Sequence, residues 1–264
     1  MSNVHDEGQA DAHATTRDNF LGGRVLIEQP AKGTHRAGID AVLLAAALPN
    51  GTKGHLLDLG AGVGTAGFCA AWRLPELQLT SVELDNTAAN LARKALTFPQ
   101  NASFADRVSV LEADITAKGD IRHASGLAPN QADHVIINPP YYAPQRFRIT
   151  PKQTRADAHA LDDRGLEPWI KTAKDILRDK GSLTIIFRAD GLADILPLMQ
   201  GRFGGITIRP IHPTADKPAN LILISAIAAS KAPLGILPPL VLRNCDNTAY
   251  TEQVEGILRH GRGL

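Results

Sequence analysis

Apolar runs and helical patterns alternate along most of this chain, and that alternation restricts the fold more than any other feature. Apolar runs lie at residues 55–59, 77–82, 108–111, 134–137 and 182–187. Helical patterns lie between several of them, at 65–73, 86–96 and 168–177, and another follows at 191–199. Strand–helix alternation of this kind predicts a parallel sheet with helices on both faces. The end of the chain departs from it. Runs at 205–211 and 221–229 are separated by a loop, 212–219, with no room for a helix, so they should pair antiparallel. The expected class is α/β, a mostly parallel sheet closed by an antiparallel C-terminal hairpin.

The flanks carry less pattern. Residues 1–18 are polar and read as a disordered tail. Leu21-Gly22-Gly23 reads as a turn, with a short strand over 24–28. Asp40 is placed to cap a helix over 41–48. Residues 19–264 are expected to form one domain, with an N-terminal extension over 19–52 and a C-terminal appendage over 231–264. The appendage holds a proline-rich link at 233–239, a short strand at 241–243 and a last helix at 251–259. Cys69 and Cys245 lie far apart, and the nine histidines show no zinc-ligand spacing, so no metal site is expected. The net charge of +1 leaves any basic surface to local clustering. No apolar run approaches a membrane span, and the N-terminus lacks the pattern of a signal peptide, so a cytoplasmic protein is expected.

Asp58-Leu59-Gly60-Ala61-Gly62-Val63-Gly64 ends the first run and opens a helix. Glycines there let backbone approach a ligand closely. The spacing Gly62-x-Gly64-x-x-Gly67 also fits a dinucleotide fingerprint, which alone is a weak signal. The loop has no Lys, Arg or Ser arranged for a phosphate, and Asp58 brings a carboxylate. A pyrophosphate would be repelled, whereas a ligand with a sulfonium and an ammonium would be attracted. The favoured cofactor is therefore S-adenosyl-L-methionine, although Asp58 could instead only cap the turn. Glu83 ends the second run and is placed to accept two ribose hydroxyls. Asp85 is better placed to cap the helix after it. Asp114 follows the third run and is placed to accept the adenine amine, with Ile115 packing on the ring, although it could instead only cap a helix or turn.

Asn138-Pro139-Pro140-Tyr141 follows the fourth run, where a buried strand would end. The tetrapeptide offers an amide side chain, a rigid turn with an outward carbonyl, and an aromatic ring. A planar nitrogen with two N–H groups needs that set to be held and methylated. Its lone pair is delocalised and weakly nucleophilic. The Asn138 side-chain oxygen and the Pro139 carbonyl can accept its two N–H bonds and stabilise the positive charge that develops there. Tyr141 can stack on the acceptor's flat face.

These residues resemble the bacterial tRNA adenine-N6 methyltransferases that modify the adenosine beside the anticodon of a valine tRNA. They also fit the wider group of small Rossmann-like class I methyltransferases with an Asn-Pro-Pro-Tyr signature. The resemblance covers roughly residues 20–260. It rests on Gly38-Ile39-Asp40, the 58–64 loop, Val82-Glu83-Leu84-Asp85, Ala113-Asp114-Ile115 and residues 138–142. It continues through Thr154-Arg155-Ala156-Asp157, His159-Ala160-Leu161-Asp162 and Leu240-Val241-Leu242-Arg243. It implies S-adenosylmethionine and an adenine amine in structured RNA, and the matching stretches put Asp40, Leu84 and also Asn138 in the cofactor set. The family usually has Gly-Thr-Asp where this chain has Gly38-Ile39-Asp40, and residues 231–239 form an insert before the tail.

Tyr142, Arg146, Arg148, Lys152 and Arg155 cluster after the motif, with Phe147 among them. Charge interleaved with aromatic rings suits a nucleic-acid backbone and a neighbouring base. His35-Arg36 adds a weaker basic point. A protein glutamine side chain presents the same kind of NH2 as adenine and fits the same four residues. DNA adenine methylation, a non-catalytic cofactor-binding module and an NAD-dependent oxidoreductase are the other readings.

Overall fold

The computed structural model describes residues 14–31, 36–140 and 165–264. Two strands, β1 (Thr15–Phe20) and β2 (Val25–Pro30), form an antiparallel hairpin. After α1 (Ile39–Ala46) comes the alternation: β3 (Gly54–Leu59), α2 (Thr65–Arg73), β4 (Leu77–Glu83), α3 (Asn86–Ala95), β5 (Val108–Glu112), α4 (Gly119–Ala124), β6 (Ala132–Ile137), α5 (Glu167–Ile176), β7 (Leu177–Arg188) and α6 (Leu192–Met199). The chain then runs through β8 (Phe203–His212), β9 (Leu221–Ala228), β10 (Gly235–Ile236), β11 (Leu240–Val241) and α7 (Glu252–His260).

Nine strands form one sheet in the order β10-β8-β9-β7-β6-β3-β4-β5, with β11 also paired to β8. The pairs of β3 with β4 and β6, of β4 with β5, and of β6 with β7 are parallel. β9 runs antiparallel to both β7 and β8, between which it is inserted. This is the Rossmann-like α/β sheet with a C-terminal hairpin that the alternation predicts.

Period-two side-chain alternation divides the strand residues between two apolar layers. Leu56, Leu79, Ile136 and Ile186 pack with α1, α2 and α7 on one face. Leu57, Val82, Val135, Ile137 and Ile185 pack with α5 and α6 on the other. Strands buried on both sides explain why the sequence reads there as continuous apolar runs.

Three expectations are corrected. Residues 15–18 of the expected tail belong to β1, every residue of which pairs with β2. Its partners there are polar: Thr15 donates to Glu28 Oε1 at 2.6 Å, and Asp18 Oδ2 accepts from Gln29 at 2.8 Å. α1 begins at Ile39 behind an extended Gly38, so Asp40 lies in its first turn and is not the cap. The proline-rich link contains β10, whose two residues pair with Thr207 and Ile208. α4 has no buried residue, and so had no apolar stripe to read.

Candidate active site

Strand register brings the site together. Leu59 pairs with both Val82 and Ile137, and Glu83 pairs with Glu112. One rung beyond Leu59, Gly60, Glu83, Glu112 and Asn138 stand side by side at the ends of β3, β4, β5 and β6, with Ala113-Asp114 following Glu112. With strands about 4.8 Å apart, Asn138 and the Ala113-Asp114 turn are separated by about 14 Å along the carboxyl edge. That edge is where open α/β sheets bind ligands.

The glycine loop turns in the left-handed region at Gly60 (φ 70°), Gly62 (φ 56°) and Gly64 (φ 89°). The three are not equivalent. A Cβ on Gly60 would stand 2.5 Å from the Trp169 ring, and one on Gly64 2.6 Å from the Phe68 ring. Among the described residues, a Cβ on Gly62 would meet nothing within 4 Å. The side of the loop at Gly62 therefore faces open space, as a loop that admits a ligand to its backbone must.

Asp58 is only 1% exposed and lies beneath the loop, not in it as the sequence suggested. Its Oδ2 accepts from Gly67 N at 2.9 Å, so it ties β3 to the first turn of α2. Burial raises its pKa to about 7; the Gly67 hydrogen bond opposes this, and the Glu83 carboxylate adds to it. The capping alternative is thus the contact observed. A raised carboxyl pKa binds its proton more tightly in the folded state. Stability therefore falls as pH rises from about 4 to about 7 and is level in this term above that. Asp58→Asn keeps an acceptor for Gly67 and removes the titration. Between pH 5 and pH 8, wild type should lose about 2–3 kcal/mol more unfolding free energy than Asp58→Asn. Denaturant melts of both proteins at the two pH values measure this, and parallel losses would disprove it.

Glu83 latches the loop. Its Oε2 accepts from Gly62 N at 2.7 Å, and its Oε1 from Leu84 N at 2.9 Å and Asp85 N at 2.8 Å. Each carboxylate oxygen can accept more than one bond, so ribose hydroxyls remain compatible with these contacts. Asp85 caps α3 through Ala88 N at 2.8 Å, as expected. Leu84 is 53% exposed, an apolar side chain standing bare at the carboxyl edge. Asp114 Oδ1 accepts both the N–H and the hydroxyl of Thr116 at 2.7 Å. Among the described residues its Oδ2 accepts nothing. Ile115 is buried beside it. Among the described residues this set is acidic and apolar and includes no cation, which suits a cationic sulfonium cofactor better than a pyrophosphate.

Asn138 and Pro140 are half-buried and Pro139 is buried, directly after Ile137 ends β6. Asp40 is half-buried in the first turn of α1, away from this rung in sequence but on an element that packs on α2. Tyr141, Tyr142, Arg146, Arg148, Lys152 and Arg155, like His35, lie outside the described residues. Arg36 is not a bare basic point: its Nη2 donates to Asp18 at 2.7 Å and Thr16 at 2.9 Å. Sequence reasoning missed Trp169 against Gly60 and Thr172, whose hydroxyl donates to the Ile115 carbonyl at 2.7 Å. No local signal could have found them, since both contacts join residues far apart in the chain.

A groove of about 630 Å³ opens at the other end of the sheet, lined by Lys53, Glu76, Asp133 and Arg178 among others. Its Arg178–Asp133 pair is closed at 2.6 Å, and it holds none of the residues above. No group of three or more His, Cys, Asp or Glu able to hold a metal occurs among the described residues. No helix among them is long and apolar enough to cross a membrane.

The chain is similar to several known proteins. A tRNA1(Val) (adenine(37)-N6)-methyltransferase of Porphyromonas gingivalis is 32% identical over 168 residues, 61% of each chain. One of Shewanella sp. is 32% identical over 156 residues, 58% of this chain and 61% of its own. The chain thus spans about three fifths of the length of these curated relatives. A solved structure from Agrobacterium tumefaciens, described as a predicted O-methyltransferase, is 34% identical with a TM-score of 0.73. That match covers 85% of this chain and 98% of the other. The methyltransferase small domain matches residues 34–209, a span that holds the glycine loop, Glu83, Asp114 and the Asn138 turn. The chain belongs to the methyltransferase small-domain family.

Proposed function

We propose that the chain methylates the exocyclic N6 amine of an adenine in structured RNA, and specifically in tRNA. The observation that carries this reading is the shared rung: Asn138-Pro139-Pro140 leaves β6 beside the glycine loop, so acceptor and cofactor residues start from one line. Relatives named for adenine-N6 methylation of a valine tRNA support the acceptor.

In this reading the open side at Gly62 receives the cofactor's backbone-facing part, and Glu83 takes its ribose. Asp114 Oδ2 accepts the adenine amine between Ile115 and Leu84, and Asp40 completes the set from α1. When bound, S-adenosylmethionine supplies an electrophilic methyl group on a sulfonium. The Asn138 side-chain oxygen and the Pro139 carbonyl accept the two N–H bonds of the acceptor amine and orient its lone pair. Both oxygens then stabilise the positive charge that arrives on nitrogen. The proton leaves easily after transfer, so the chain needs no dedicated base. Tyr141 stacks on the acceptor base, and Pro140 holds the turn rigid between them. Tyr142, Arg146, Arg148, Lys152 and Arg155 carry the phosphate backbone past the pocket, in the cytoplasm where tRNA is found.

The Agrobacterium structure's description raises an oxygen acceptor instead. A hydroxyl must lose its proton as it attacks, and two acceptor oxygens on an uncharged amide and a peptide hold it without removing that proton. The same pair suits an NH2, which keeps its proton until after transfer.

The test offers purified protein, methyl-labelled cofactor and three acceptors: total tRNA, DNA and release factors as glutamine-bearing proteins. Label is expected in tRNA and, after digestion, in N6-methyladenosine. Label confined to protein would replace adenine with glutamine, and label on a ribose oxygen would replace N- with O-methylation. Neutralising Arg146 and Arg148 together should weaken tRNA binding and flatten its salt dependence by about two phosphate contacts, while cofactor affinity holds.

A further inference from the structure

α5 is the first helix after residues 141–164, the stretch that follows the acceptor turn. Two of its buried side chains reach two different walls of the cofactor cradle. Trp169 lies with the far edge of its six-membered ring against Gly60. Thr172, 1% exposed, donates from Oγ1 to the Ile115 carbonyl at 2.7 Å. β5 has ended at Glu112, so the ladder no longer orients the chain at Ile115. A backbone bond from Ala117 N to the Asp114 carbonyl at 3.3 Å closes the turn, and side-chain bonding braces it on both flanks. On one side Thr116 closes onto Asp114 Oδ1 with its N–H and its hydroxyl. On the other, Thr172 holds the carbonyl of the residue between them. Around Thr172 the helix is apolar, with Ile170, Ala173 and Ile176 in the same core as Ile115. A hydroxyl in such a place is favourable only because it has this acceptor.

We infer that Thr172 is a positioning residue for the cofactor's adenine: by holding the Ile115 carbonyl it sets the 114–116 turn that aims Asp114 at the ring's amine. The inference rests on the reading of Asp114 given above. It makes α5 the strut between that turn and the glycine loop, because Trp169 braces Gly60 from one helical turn earlier.

The experiment measures calorimetric affinities of the full chain for two ligands. S-adenosylhomocysteine carries the amine; S-inosylhomocysteine carries a carbonyl oxygen in its place. Wild type is expected to prefer the first by about tenfold or more. Thr172→Val, which keeps the shape and loses the donor, should bind S-adenosylhomocysteine about tenfold more weakly and S-inosylhomocysteine nearly as wild type does. The preference then collapses. Thr172→Ser keeps the hydroxyl and should restore it. At saturating cofactor, kcat should stay near wild type while KM for the cofactor rises. Thr172→Ala removes the hydroxyl without adding bulk and repeats the test if the valine protein folds poorly. If the variants weaken both ligands by the same factor, Thr172 only holds the fold and the inference is overturned. If wild type discriminates and Thr172→Val discriminates equally, the inference alone fails. If wild type shows no preference, the reading of Asp114 fails and takes the inference with it.

Discussion

Asn138→Ala is expected to lower the methyl-transfer rate by about 10³-fold, because it removes one of two acceptors aimed at the nitrogen on which charge develops. Cofactor affinity should change little. The proposed cofactor residues with observed contacts, Glu83 at the end of β4 and Asp114 just past β5, keep their own bonding to Gly62 N and Thr116. The fold should survive as well, since Asn138 is half-buried and follows the last ladder residue, Ile137. Single-turnover rates with saturating RNA, beside calorimetry with S-adenosylhomocysteine, separate the two effects. A near-normal rate would remove the amide from the chemistry. A tenfold loss of cofactor affinity with an unchanged saturated rate would move Asn138 from the acceptor side to the cofactor side.

Much of this edge was legible before the structure. Glu83, Asp114 and Asn138 each follow an apolar run, Asp58 lies one residue before the end of another, and a run buried on both faces stops where the chain leaves the sheet. Position along the sequence therefore translated directly into position along the carboxyl edge. What the pattern could not convey is which way a side chain turns once there. Asp58 has the same sequence context as a loop carboxylate, yet it points under the loop to Gly67 because the first turn of α2 offers a buried N–H. β1 escaped for a related reason. Its stabilisation comes from Thr15, Arg17 and Asp18 pairing with Glu28 and Gln29, and polar pairing leaves no apolar run to read. Long-range braces are invisible by construction: Trp169 meets Gly60 and Thr172 meets Ile115 only because α5 packs into the apolar layer that also holds Leu57, Leu59 and Ile115.

Gly60→Ala and Gly62→Ala should fail in opposite ways, although they are two residues apart in one loop. Both glycines have positive φ, so either alanine costs about 1–2 kcal/mol of backbone strain. At Gly60 the new methyl also enters the Trp169 ring, 2.5 Å from Cη2. That ring is 5% exposed within the core and cannot swing away. Overpacking adds a further cost of about 1–3 kcal/mol, so Gly60→Ala should unfold at markedly lower denaturant. At Gly62 the methyl meets no atom of the described residues and stands in the open side of the loop. Its cost falls on whatever approaches that backbone. Gly62→Ala should keep most of its stability and lose S-adenosylmethionine affinity by about a hundredfold, about 2.7 kcal/mol. Denaturant midpoints and calorimetric affinities on the same two proteins give four numbers. If Gly62→Ala binds the cofactor normally, the open side of the loop is not where the ligand lies, and the cradle must be sought on another face of the same rung.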